Sequence, residues 1–212
     1  MRIDRRSLLA AGAVIGLGAG ALALSGCDKG GGAAVTSDDM SLGDPKAKVT
    51  VIEYASLSCI HCGKWNKEVY PAFKAKYIDT GKVHYVFREF ITQPAELAVA
   101  ATLMARCAGK DKYFGVVDSA FHAQEEIFRT GDIRGGLLPI AQSAGLSEDE
   151  FMKCVGDEKA INELSARVER YAKEANVTST PTFFFNGDKY DKGELSLAEI
   201  DAAYAKALAK AK

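Results

Sequence analysis

The chain has 212 residues, 48% of them hydrophobic and 26% charged, with a formal net charge of -1. That length suits one good-sized core or one domain carrying an insertion. The near-neutral balance leaves no basic excess for phosphates and argues against nucleic acid as a main partner.

The N-terminus differs from the rest. Met1-Arg2-Ile3-Asp4-Arg5-Arg6 is short and basic, and Leu8 to Leu24 follows without a charge, interrupted by Gly12, Gly16, Gly18 and Gly20. Such a run is short for a bilayer span and weakly helical, and reads as residues 1–26 of an export signal. Leu24-Ser25-Gly26-Cys27 resembles the lipobox of bacterial lipoproteins, which implies cleavage before a lipidated Cys27. Asp4-Arg5-Arg6-Ser7-Leu8-Leu9 resembles a twin-arginine signal less closely. The competing reading is a plain signal cut near Ala33-Ala34, with Cys27 lost. Either way the chain is expected to be exported and periplasm-facing; on the lipobox reading it is also anchored to the cytoplasmic membrane through Cys27.

Residues 27–47 are rich in Gly, Ala, Ser and Asp and are expected to be a flexible tether. Lys48 to Ala55 is β-branched and predicts a strand. A Cys-x-x-Cys segment then opens a helix predicted to run to about Tyr77, kinked at Pro71. Lys82 to Phe87 predicts a second strand, parallel to the first by the crossover rule. Residues 94–176 turn helical, with Leu97, Ala100, Met104 and Cys107 on one stripe and a capping box at Ser147-Glu148-Asp149-Glu150. Ile161, Leu164, Val168, Tyr171 and Ala175 mark a long amphipathic helix. Thr182 to Asp188 predicts a strand and hairpin turn, and Ser196-Leu197-Ala198-Glu199 caps a last helix with Ile200, Tyr204 and Leu208 inward. The order is β-α-β, helices, then β-β-α: an α/β domain of residues 48–93 and 177–212 split by a helical insertion at 94–176.

Of five cysteines, four remain once Cys27 is set aside, an even number in an oxidising compartment. Cys59-Ile60-His61-Cys62 admits several chemistries. A c-type haem needs histidine after the second cysteine, where Gly63 stands. A structural zinc needs a second ligand pair, and His61, His84 and His122 are scattered. A structural disulfide closing so short a loop gains little entropy. Thiol–disulfide exchange fits better. Cysteines three apart share a helix face, Cys62 points to the core with Trp65 and Val69, and Cys59 stays exposed at the helix N-terminus. Free N–H groups and the helix dipole there stabilise a thiolate, and His61 adds to this if cationic, its bland alternative being a solvated first-turn residue.

Glu53 alternates in phase with Val49, Val51 and Ala55. It is therefore either a buried acid able to relay the proton of Cys62, or a partly solvated residue paired with a lysine. Pro181, after Thr180, is either an edge marker or a cis proline presenting backbone to a substrate chain.

Cys59-Ile60-His61-Cys62, Glu53 six residues upstream, the helical insertion and Thr180-Pro181-Thr182-Phe183 together resemble the DsbA-like thioredoxin-fold family, over roughly residues 48–212. The resemblance implies a thioredoxin-like fold, with Cys59 attacking and Cys62 resolving. It makes Glu53 the buried acid and Pro181 a cis proline facing the site behind Thr180. Ile60 departs from the common proline and leaves the redox poise open. For Cys107 and Cys154 a structural disulfide is expected, with two buried free thiols as the alternative; the bond would stabilise by about 4 kcal/mol.

The expected function is donation of the Cys59–Cys62 disulfide to newly exported cysteine-containing proteins by a monomer needing no cofactor and no metal. A DsbB-like membrane quinone reductase is expected to reoxidise it. The alternatives are a reductase or isomerase of the same fold, and a redox-inert binding or chaperone lipoprotein.

Overall fold

The computed structural model describes residues 34–211. The export signal and Cys27 lie outside the described residues.

The first expected strand forms as Val49–Ala55 and pairs in parallel with the second, Val83–Glu89, so the β-α-β reading holds. Both are buried along nearly their whole length, as central strands covered on two faces must be. Thr182–Phe185 joins antiparallel on the far side, followed by Asp188–Tyr190. Asn186 and Gly187 turn that hairpin with φ of 46° and 87°, the left-handed pair that suits two-residue hairpins.

Residues 40–43 correct the expected tether: Met40–Gly43 is a strand, antiparallel to the edge of Val83–Glu89. Four residues with only two large apolar side chains, Met40 and Leu42, carry too little pattern to be read as a strand. In chain order the strands are β1 (Met40–Gly43), β2 (Val49–Ala55), β3 (Val83–Glu89), β4 (Thr182–Phe185) and β5 (Asp188–Tyr190), and the sheet order is β1-β3-β2-β4-β5.

The first helix breaks more than expected. α1 is Ile60–Glu68 and α2 is Tyr70–Phe73, which runs into a π-helical turn at Lys74–Ile78. Pro71 lacks the N–H that would continue the α1 ladder, so the chain restarts there. Five helices separate β3 from β4: α3 (Ala95–Cys107), α4 (Lys110–Thr130), α5 (Ile133–Ser143), α6 (Glu148–Val155) and α7 (Glu158–Glu174). α8 (Leu197–Lys210) closes the chain, and both expected capping boxes form, at Ser147 and Ser196. On α3 the buried stripe is Leu97, Ala101, Met104 and Ala105, with Ala100 only half-buried and Cys107 exposed.

The sheet separates two apolar layers. Val49, Val51, Tyr85, Phe87, Phe183 and Phe185 share the main core with α1, α4 and α8. On the other face Ile52, Tyr54, Val86 and Phe184 pack under Tyr171 of α7. Glu53, in phase with Val51, faces the main core at 1% exposure. Cys107 and Cys154 are bonded, tying the end of α3 to α6 with a Cα separation of 6.4 Å. Closing a loop of 47 residues stabilises the fold by about 4 kcal/mol on chain entropy.

Candidate active site

β2 delivers the chain to Ser56-Leu57-Ser58, and Cys59 then caps α1 with extended backbone, φ -84° and ψ 118°. Three hydroxyls pin this bend. The Ser58 hydroxyl donates to the Thr92 carbonyl at 2.9 Å, and the Thr92 hydroxyl donates to Ser56 Oγ at 2.9 Å. A fourth clamp comes from the insertion. Gln124 of α4, buried, donates from Nε2 to the carbonyls of Leu57 at 3.0 Å and Cys59 at 3.1 Å. Gly63 makes room for it, because a Cβ there would lie 2.4 Å from Gln124 Oε1. None of these partners was legible in the sequence, since each lies more than 30 residues from what it holds.

Cys59 is half-buried and Cys62 has no exposed surface, and both are free thiols. The Cys62 backbone N–H donates to Cys59 Sγ at 3.4 Å, the capping contact of a helix N-terminus carried by sulfur. A hydrogen bond from the Cys62 thiol, outweighing burial and helped by Thr180 and the backbone N–H groups of Cys62 and His61, lowers the Cys59 thiol to about 5. Burial, then the neighbouring Cys59 and the charge of Glu53, push Cys62 well above the ordinary thiol range. The two sulfurs are thereby made unlike: one a stable thiolate at neutral pH, the other a thiol.

Glu53 takes a hydrogen bond from the Tyr85 hydroxyl, not an ion pair with a lysine. Burial pushes its carboxyl up to about 8; the Tyr85 bond works against that rise, and a charge on Cys59 adds to it. Across the bend, the Thr180–Pro181 bond is cis and the Cys59 thiol donates to the Thr180 carbonyl at 3.4 Å. The Thr180 hydroxyl is buried and makes no hydrogen bond among the described residues while Cys59 is a thiol, and it is this hydroxyl, not the carbonyl, through which Thr180 favours the Cys59 thiolate. Ile60, 65% exposed, stands over a groove of about 440 Å³ shared with Thr92, Pro94 and Phe128. The Gln93–Pro94 bond beside it is also cis.

The His61 ring is engaged by a carboxylate from a distant loop. Its Nδ1 donates to Glu194 Oε1 at 2.7 Å, and among the described residues no hydrogen bond joins the ring to the sulfur. Glu194 also takes Lys64 Nζ at 2.9 Å. Among the described residues no group of three or more metal-ligating side chains comes together.

Fold and site geometry place the chain in the DsbA-like thioredoxin-fold family. A family model described as Thioredoxin matches residues 35–203, and the chain belongs to that family. The crystal structure of alpha-DsbA1 from Wolbachia pipientis is similar, with a TM-score of 0.76 and 30% identity over 84% of this chain and 95% of that one. A protein of Rickettsia conorii, provisionally named a protein-disulfide oxidoreductase, is 35% identical over 84% of this chain. The present chain spans 63% of that relative's length. Oxidised BdbD from Bacillus subtilis, at 21% identity and a TM-score of 0.62, shares the fold over 81% of this chain and 93% of its own.

Proposed function

We propose that the protein is an exported disulfide donor that passes its Cys59–Cys62 bond to newly exported cysteine-containing proteins. The observation that carries this reading is the opposed tuning of the two sulfurs, Cys59 lowered to about 5 and Cys62 raised. A substrate thiolate attacks Cys59 Sγ, forming a mixed disulfide and breaking the Cys59–Cys62 bond. The bond's electron pair leaves on Cys62, which takes a proton from the buried acid Glu53. A second substrate thiolate then attacks the substrate sulfur of the mixed disulfide. That step expels Cys59 as a thiolate, and its low proton affinity makes it a good leaving group. The substrate is oxidised by two electrons and the enzyme is left as a dithiol.

In this reading Thr180 and cis Pro181 offer backbone to the substrate chain, and Ile60 offers it an apolar contact beside the sulfur. Reoxidation falls to a membrane quinone reductase of the DsbB kind. The export signal and a lipidated Cys27 would hold the enzyme, as a monomer, at the periplasmic face of the cytoplasmic membrane. No helix among the described residues is long and apolar enough to cross a membrane.

Refolding of a reduced, unfolded model protein tests the activity. The oxidised enzyme should yield one substrate disulfide per molecule, and Cys59→Ser should yield none. Equal yields from both would leave only an inert binding role.

A further inference from the structure

We propose that Glu194 is a positioning residue that holds the His61 ring and the Lys64 ammonium off the Cys59 sulfur, and so limits how readily the pair gives up its disulfide. The inference rests on the thiol-exchange reading of the site.

Glu194 lies in the loop between β5 and α8, more than 130 residues from the cysteines, yet α1 grips this loop along one face. His61, Lys64 and Trp65 stand at i, i+3 and i+4, neighbours on a helix surface. Trp65 Nε1 donates to the Leu195 carbonyl at 2.9 Å, a buried bond that fixes the loop beside the helix. Glu194 is thereby set where its two oxygens take the other two side chains separately, His61 at 2.7 Å and Lys64 at 2.9 Å. The carboxylate side chain is only 22% exposed, whereas His61 and Lys64 are 72% and 54% exposed. Exposed pairs of this kind contribute little to folding, so stability alone gives no account of a carboxylate placed here.

The consequence concerns charge near the thiolate. His61 lies between the cysteines, and Lys64 is one turn from His61. Both would be free to lean toward Cys59 Sγ if nothing held them. Glu194 commits both, and its own negative charge opposes a second negative charge on the sulfur. What remains to hold the thiolate is the Cys62 thiol, Thr180 and the backbone N–H groups. The reduced enzyme is then less favoured than the helix terminus with an uncommitted imidazole and ammonium beside it would make it, and the disulfide is correspondingly less oxidising.

The test compares the full chain with Glu194→Gln, His61→Gln and the double variant. Two readouts are taken: the equilibrium of the cysteine pair with glutathione, and the pH dependence of Cys59 alkylation. Glu194→Gln should shift the equilibrium toward the dithiol by about three- to tenfold and lower the alkylation midpoint by about half to one pH unit. His61→Gln alone should change the equilibrium by less than about twofold. In the Glu194→Gln background the same change should reverse much of the gain, a coupling that a double-mutant cycle isolates. An unchanged equilibrium in Glu194→Gln, or a shift toward the disulfide, would overturn the proposal. The second result would mean that Glu194 serves to keep His61 charged for the sulfur. Alkylation reads Cys59 whether or not the enzyme donates disulfides, so failure of the donor reading shows separately, in the refolding yield.

Discussion

Glu53 shows how one residue ties the chemistry to stability. Its carboxyl is held near 8 by burial, whereas an unfolded glutamate releases its proton near 4.5. Between these values the folded state keeps a proton that the unfolded state gives up. The contribution of this group to stability therefore falls as pH rises from about 4.5 to about 8. Glu53→Gln removes that dependence while its amide oxygen still accepts from Tyr85. Denaturation of the oxidised protein should find the variant close to wild type near pH 4 and more stable than wild type by over about 1 kcal/mol at pH 8. Reduced substrate should attack the same variant about tenfold more slowly or worse, because Cys62 then leaves without a proton donor. A variant both no more stable at pH 8 and as fast as wild type would remove Glu53 from the mechanism. The acid itself was legible from its phase on β2. Tyr85, its partner, was not, because it sits on another strand at a register that only the fold sets.

At the scale of elements, α1 and α4 meet at a single point that matters for the site. Glycine inside a helix normally gains about 0.5–1 kcal/mol when replaced by alanine. At Gly63 the opposite is expected. The new methyl would sit 2.4 Å from Gln124 Oε1 and drive the amide off the carbonyls of Leu57 and Cys59. Leaving those buried groups unpaired costs about 1–3 kcal/mol, more than the helix gains. Gly63→Ala should accordingly lower the urea midpoint by an amount equivalent to about 1–2 kcal/mol, and a rise in the midpoint would show that Gln124 is no clamp. The capping boxes, the amphipathic helices and the cysteine pair all carry local signals and were readable. β1 and the π-helical turn after Pro71 were not, the first for want of pattern and the second because ladder slippage has no residue signature.

At the scale of the molecule, the first described residues are part of the domain. Arg88, fully buried on β3, pairs with both oxygens of Asp39, at 3.0 and 2.9 Å, and donates to the Tyr54 hydroxyl and the Ala34 carbonyl. Its guanidinium lies 4.3 Å from the Tyr171 ring centroid, so one side chain joins the N-terminal segment, the sheet and α7. A sequence reading sees an aspartate in a polar stretch and an arginine in a strand, with nothing to join them across 49 residues. On the other side of the sheet the insertion reaches the backbone at Cys59 through Gln124, and the β5–α8 loop reaches His61 and Lys64 through Glu194. The site is thus assembled from three distant parts of the chain around two cysteines that were visible from the start.

The most direct test of the account is the redox equilibrium of the Cys59–Cys62 pair in the full chain against glutathione at neutral pH. A thiolate held to about 5 stabilises the dithiol, so the pair should be largely reduced in mixtures where an ordinary structural disulfide such as Cys107–Cys154 stays oxidised. A pair that stays oxidised across the same mixtures would contradict the donor reading and assign the site to reduction or to an inert bond.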